Sequence, residues 1–226
     1  MIKQRTFSSI TKKVIMSLAG LFLITFLLVH LGINLFLIPL TENHQEIFEL
    51  LASFMATNPV IKVFEVVLFG GFIIHIIYGI IVQLQNWASR GNVRYKSGSK
   101  TNTTFSSQTM IYTGLLVFLF LALHLYQFYF LKVGLNSTTF VDAHGHPDFF
   151  NVAVALFTTQ PIYSVIYIIT FVILGFHLNH AFQSAFQTLG WDHPKYKSVI
   201  KIAGSVYAIV VPAGFIMIPL YFLIMQ

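Results

Sequence analysis

Five of the nine histidines lie inside long apolar stretches, where an ionisable side chain is costly and usually functional. They are His30, His75, His124, His177 and His180. A neutral imidazole binds a metal ion or a haem iron through one ring nitrogen, and it also exchanges protons. A lone intramembrane histidine can instead serve as a hydrogen bond between helices. Because the five are spread over four apolar stretches, their distribution favours ligation.

The composition excludes a soluble protein. Of 226 residues, 56% are hydrophobic and 9% are charged, whereas about a quarter of an ordinary globular chain is charged. The absence of cysteine excludes a disulfide framework, a thiolate-ligated iron–sulfur cluster and a covalently attached c-type haem. We therefore predict an all-α integral membrane protein with one domain, residues 1–226, whose redox cofactor, if present, has other ligands.

Five apolar segments approach the roughly 20 residues that a helix needs to cross the hydrocarbon core of a bilayer. Backbone groups in a bilayer must pair within their own segment, so each is predicted to be a transmembrane helix. The predicted spans are residues 14–38, 60–86, 109–133, 158–187 and 199–225. We expect kinks at Pro212 and Pro219. Residues 42–55 place apolar side chains at helical spacing beside three Glu, which predicts a short interfacial helix.

The basic residues predict the orientation of these spans. Eleven of the thirteen Lys and Arg lie in the N-terminal tail or near the loops after the second and fourth spans, and only Lys62 and Lys132 lie on the other side. The positive-inside rule then places the N-terminus in the cytoplasm and the C-terminus outside. The formal net charge of +6 is explained by this topology and by contact with anionic lipid, so no nucleic-acid partner is expected.

Helix geometry assigns the histidines to two depths. His30 and His124 lie about sixteen residues into spans that enter from the cytoplasm, which places them in the outer half of the membrane. His75 and His177 lie about sixteen to twenty residues into spans that enter from outside, which places them in the inner half. We name these the outer pair and the inner pair. Two facing imidazoles supply both axial ligands of a b-type haem, so the sequence predicts two stacked haem b groups that conduct electrons across the membrane.

Two glycines fit the same arrangement. Gly20 and Gly114 each lie ten residues before a histidine of the outer pair, which brings them to the depth of the inner pair, about 15 Å away. A glycine lets a flat porphyrin approach the helix backbone closely. The alternative is ordinary packing of helices through small residues.

The segments around these histidines resemble the b558-type cytochrome b subunit of succinate dehydrogenase and fumarate reductase. The resemblance covers nearly the whole chain, and it is to the single-chain, five-helix class that carries two haems. The residues that carry it are Met16-Ser-Leu-Ala-Gly20, His30-Leu-Gly-Ile-Asn34, His75-Ile-Ile-Tyr-Gly79, Asn86-Trp-Ala-Ser-Arg90 and Gly175-Phe-His177-Leu-Asn-His180 through to Gly190.

The resemblance implies the ligands and the partners. It assigns His30 and His124 to a distal haem iron, and His75 and His177 to a proximal haem iron. It implies a flavoprotein subunit that oxidises succinate and an iron–sulfur subunit that docks on the cytoplasmic face. This chain would then anchor a succinate:quinone oxidoreductase in a bacterial cytoplasmic membrane and pass electrons to a quinone, menaquinone in the dihaem class. Gly175 departs from those fumarate reductases that carry a Glu at this position for proton transfer.

The sequence allows two interpretations for each of several other residues. His180 contacts a haem propionate or a quinone, or makes a structural hydrogen bond. Arg90 pairs with a propionate of the proximal haem, or anchors the helix at the interface. Glu65, the only acid inside a predicted span, is a candidate proton group for a quinone beside the distal haem, or pairs with Lys62 at i−3. His144, His146 and Asp148 form a surface metal site or a solvated loop.

Two other functions also fit the sequence. The first is a dihaem cytochrome b of another respiratory enzyme, such as a hydrogenase or a formate dehydrogenase, in which the histidines pair differently. The second is a transporter whose intramembrane histidines relay protons.

Overall fold

The computed structural model describes residues 9–90, 105–142, 145–191 and 193–225. Regular structure in these residues is helical, apart from an isolated bridge between Val141 and Pro147. A 3-10 helix, Leu35–Leu37, extends the first helix, and a π-helical turn, Leu125–Tyr129, follows the fourth. The α-helices are α1 (Ser9–Asn34), α2 (His44–Thr57), α3 (Pro59–Arg90), α4 (Phe105–His124), α5 (Phe130–Lys132), α6 (Phe149–Thr159), α7 (Pro161–Thr188) and α8 (Pro194–Ile224).

Five helical segments of the described residues are long and apolar enough to cross a membrane, as predicted, and the chain is a multi-pass membrane protein. Their bounds are Ile10–Leu37, Pro59–Ala88, Thr109–Lys132, Pro161–Thr188 and Pro194–Ile224. The largest difference from the prediction is the start of the last span, which lies at Pro194 and not near residue 199. Pro194 fits the first turn of a helix, where its missing N–H is not needed, and the His193 side chain accepts a hydrogen bond from the Lys195 backbone N–H.

The buried core lies between α1, α7 and α8, with α2 and α6 at one end. The buried hydrophobic side chains of this core come from these five helices and from Leu37 and Ile38 just after α1, whereas α3 contributes none and α4 contributes only partly buried ones. Tyr207 of α8 donates a hydrogen bond to the Ile24 carbonyl of α1 at 2.6 Å, which ties two core helices together. The outward faces carry exposed Val, Ile, Leu and Phe side chains, as expected for helices in contact with lipid.

Four helices surround the histidines. α1 packs against α3 and α7, and α4 packs against α7, while α3 and α4 touch over a short stretch. Neither α1 with α4 nor α3 with α7 is a closely packed pair among the described residues. α1 therefore faces α4 across one diagonal of the bundle, and α3 faces α7 across the other. Side chains must fill the distance between the backbones of each of these two pairs.

Two short helices close the end of the bundle where α1 ends and α7 begins. The predicted helix at residues 42–55 is present as α2, whereas α6 lies in a segment for which no separate helix was predicted. The Asp148 carboxylate begins α6 by accepting a hydrogen bond from the Asn151 N–H at 3.1 Å, a normal N-terminal cap. Phe150 of α6 packs against Phe48 and His44 of α2. Both helices thus lie beyond the outer pair.

Candidate functional site

His30 of α1 and His124 of α4 face each other across one diagonal of the bundle. Their ring centres lie 5.8 Å apart and the ring planes cross at 81°. Aromatic rings enclose the two imidazoles, from Phe26, Phe120, Phe128, Tyr167 and Phe215. The outer pair therefore lies in an apolar site with both rings directed at a common point.

His75 of α3 and His177 of α7 face each other across the other diagonal. Their ring centres lie 6.3 Å apart and their planes cross at 74°. The predicted glycines lie beside these rings: a Cβ on Gly20 would be 3.5 Å from the His75 ring, and a Cβ on Gly114 would be 3.3 Å from Cε1 of His177. The ten-residue spacing therefore predicted the correct level for both glycines.

Both distances match two imidazoles on one metal ion. A histidine nitrogen binds a first-row metal at about 2.0–2.1 Å and lies about 1 Å from its ring centre, so two rings on opposite sides of an ion have centres about 6 Å apart. The observed values are 5.8 Å and 6.3 Å. The separation of the ring centres in each pair therefore matches that of two imidazoles that would share one metal ion.

The histidines gather in twos and not in larger groups. Among the described residues, no three His, Cys, Asp or Glu side chains converge to hold a metal ion. Structural and catalytic zinc sites take three or four protein ligands, whereas a six-coordinate haem iron takes two and receives the other four from the porphyrin. Each histidine pair contains the two protein nitrogens that such a haem iron would need.

The two pairs occupy two levels of one bundle. On α7, Tyr167 touches the outer pair and His177, ten residues later, belongs to the inner pair. On α4, Gly114 touches the inner pair and His124 belongs to the outer pair. Ten residues of helix span about 15 Å, so the levels are stacked along the helix axes at that separation.

Hydroxyl groups contact one histidine of each pair. Nδ1 of His124 lies 3.2 Å from the Tyr167 hydroxyl, and Nδ1 of His177 lies 3.2 Å from the Thr113 hydroxyl. Neither Tyr167 nor Thr113 was predicted from the sequence. A signal was present, since Thr113 adjoins Gly114 and Tyr167 lies ten residues before His177.

His180 lies one helical turn beyond His177 on α7. It interacts electrostatically with His177 from the same helix and is half-buried. The imidazole that faces His75 in the structure is that of His177.

Glu65 forms an ion pair with Lys132, with a distance of 2.5 Å between Oε2 and Nζ. The partner considered from the sequence was Lys62. Lys62 instead lines the same surface cavity, of about 280 Å³, together with Glu65, Tyr129 and Lys132. Tyr129 and Lys132 reach α3 from the π-helical turn and α5, immediately after His124. This cavity, beyond the outer pair, is thus lined by one carboxylate (Glu65), two ammonium groups (Lys62 and Lys132) and one phenol (Tyr129).

Two further candidates lie outside what the structure describes. The side chain of Arg90 and the residue His144 fall outside the described residues, so the propionate partner and the loop metal site remain predictions. Within that loop, the described His146 interacts with the Asp142 carboxylate at 3.5 Å.

Comparison of the chain with protein-family models, with curated proteins and with solved structures finds no match.

Proposed function

We propose that this chain is the membrane anchor and dihaem cytochrome b subunit of a succinate:quinone oxidoreductase. His30 and His124 hold one haem b, and His75 and His177 hold the other. The chain passes electrons between an iron–sulfur subunit on its cytoplasmic face and a quinone, menaquinone, in the membrane. It does not itself oxidise succinate, which is the task of a flavoprotein subunit.

One observation carries this proposal: the two histidines of the outer pair, and likewise those of the inner pair, face each other across a diagonal of the bundle. Two couples with nearly equal ring separations, at two levels about 15 Å apart, are not expected from histidines that merely bridge helices. Bound haem supplies one-electron transfer at each level. The side chains supply the axial nitrogens, the glycines leave room beside the inner rings, and the aromatic residues exclude water from the outer ones.

The succinate-linked part of the proposal has different support. It depends on the resemblance of the five motif segments, and on the Lys and Arg distribution, which directs the loops after α3 and α7 to the cytoplasm. The cavity beyond the outer pair supports a quinone site at the opposite face. There Glu65 is placed to exchange a proton with a quinone oxygen, and Lys132 neutralises its charge when the carboxyl is ionised.

This proposal is tested by the optical spectrum of the membranes and by the haem and subunit content of the purified protein. Membranes that express the chain should give a reduced-minus-oxidised b-type spectrum, and the purified protein should contain two haems per chain. A flavoprotein with succinate dehydrogenase activity should co-purify. Haem without that partner would favour another respiratory cytochrome b, and the absence of haem would favour a transporter.

The glycine beside His177 makes a testable prediction. Gly114→Val should displace the His177 ring and lower the content of the inner haem while the outer haem is retained, because even a Cβ there would contact Cε1 at 3.3 Å. Gly32→Val on α1 is the matched control, since a Cβ at Gly32 meets nothing within 4 Å. The measurement is haem content by pyridine haemochrome with redox titration of each haem. Equal loss in both variants would show that Gly114 has only a general packing role.

A further inference from the structure

We propose that Thr113 and Tyr167 are positioning residues, which fix the protonation of His177 and His124 so that Nε2 of each ring is free to bind iron. The inference depends on the proposed haem function. It goes beyond that function in assigning two residues that do not touch the metal and in predicting how each tunes one haem.

The proton positions at Thr113 follow from its two contacts. The Thr113 hydroxyl donates its only proton to the Met110 carbonyl, at 3.0 Å, because a carbonyl oxygen can only accept. Its oxygen also lies 3.2 Å from Nδ1 of His177, where it is able to accept a hydrogen bond. In the proposed arrangement Nδ1 of His177 carries the proton, and Nε2 keeps its lone pair. That is the tautomer required of a ligand that binds through Nε2.

Tyr167 does the same at the outer level. Its buried hydroxyl donates to Oε1 of Gln127 at 2.6 Å. The same oxygen lies 3.2 Å from Nδ1 of His124 and is able to accept the Nδ1 proton there, which in the proposed arrangement leaves Nε2 free. Gln127 belongs to the π-helical turn directly after His124, so this turn helps to orient the ligand that precedes it.

The other two histidines have no such acceptor among the described side chains. Nδ1 of His30 lies 3.3 Å from Nδ2 of Asn34, and this amide nitrogen donates to the His30 backbone carbonyl at 2.7 Å. Nδ1 of His75 is buried without a hydrogen-bond partner in the described part of the chain, although the backbone of Met16 faces the ring. Each pair therefore contains one histidine held by a hydroxyl.

Each of the two hydroxyls lies on one of the helices α4 and α7 and contacts a histidine of the other helix. Thr113 of α4 holds the ligand of α7, and Tyr167 of α7 holds the ligand of α4. These helices pack directly against each other, which keeps both contacts short. An acceptor on Nδ1–H orients the ring and makes the metal-binding nitrogen more basic, which stabilises ferric iron. Loss of either acceptor should raise the reduction potential of the haem at that level only.

The experiment is a redox titration of each haem in the assembled complex of four variants. Thr113→Val should raise the midpoint potential of the inner haem, and Thr113→Ser, which keeps the hydroxyl, should retain the parent value. Tyr167→Phe should raise the potential of the outer haem. The control is Thr188→Val at the end of α7, which removes a hydroxyl that bonds the Ser184 carbonyl. It should change neither potential.

The outcomes separate this inference from the proposed function. A parent complex without haem refutes the proposed function itself. Unchanged potentials in Thr113→Val and Tyr167→Phe, with both haems present, overturn the positioning role and leave the proposed function intact. An equal shift in Thr113→Ser and Thr113→Val also overturns it, because the effect then belongs to packing. Loss of only the inner haem in Thr113→Val, with retention in Thr113→Ser, supports it.

Discussion

His177→Ala is expected to remove the inner haem, to lower the haem content from two to one per chain, and to abolish quinone reduction by succinate. The reason is geometric. His177 faces His75 across the diagonal of the bundle with 6.3 Å between ring centres. Alanine leaves the iron with one axial nitrogen in an apolar site. Optical redox titration and succinate-to-quinone turnover measure the two effects.

The matched control for His177→Ala is His180→Ala, one helical turn away on α7. This variant should keep both haems, because the imidazole that faces His75 is that of His177. The reverse result, with the inner haem lost in His180→Ala and retained in His177→Ala, would exchange the ligand assignment. His75→Ala should reproduce the His177→Ala spectrum, which checks that the two belong to one pair.

Glu65→Gln is expected to lower the turnover with quinone by about 100-fold, the lower range of what a positioned proton donor or acceptor contributes. Both haem spectra and electron transfer from succinate to a water-soluble dye should be unchanged. Glu65 lines the cavity beyond the outer pair with Lys62, Tyr129 and Lys132, and its carboxylate pairs with Lys132. Glutamine keeps the shape and removes the proton exchange.

The control for Glu65→Gln is Glu49→Gln on α2, an exposed acid at the same end of the bundle whose side chain bonds Gln45. It should leave turnover unchanged. Normal quinone turnover in Glu65→Gln would remove this carboxylate from the mechanism and move the quinone site toward the face that binds the iron–sulfur subunit. Loss of haem in Glu65→Gln would indicate a structural role for the ion pair with Lys132.

The helical pattern of this chain is determined by its sequence. A bilayer leaves the backbone no partner outside its own helix, so length and apolar composition decide the number of spans and nearly their ends. The starts of the first and last spans differ most from the predicted positions. Position along a helix converts to depth at 1.5 Å per residue. That is why the sequence correctly placed Gly20 and Gly114 beside the inner pair.

Rotation about the helix axes is not determined by the sequence alone. The partner of Glu65 is an example: Lys62 is a neighbour at i−3, yet the structure selects Lys132 of α5. The π-helical turn Leu125–Tyr129 adds about one residue to its turn and rotates the rest of the helix by about 100°. This rotation directs Tyr129 and Lys132 toward α3, and no local pattern marks it.

Tertiary packing also determined which side chains contact His124 and His177. Asp148 begins α6 with a local capping contact, so that helix does carry a signal in the sequence. The contacts of Thr113 with His177 and of Tyr167 with His124 join residues 64 and 43 positions apart. They exist because α4 and α7 pack with one particular rotation and register. Local sequence thus determined which helices form and how deep each histidine lies along its helix, and tertiary packing determined which hydroxyl group lies beside Nδ1 of His124 and of His177.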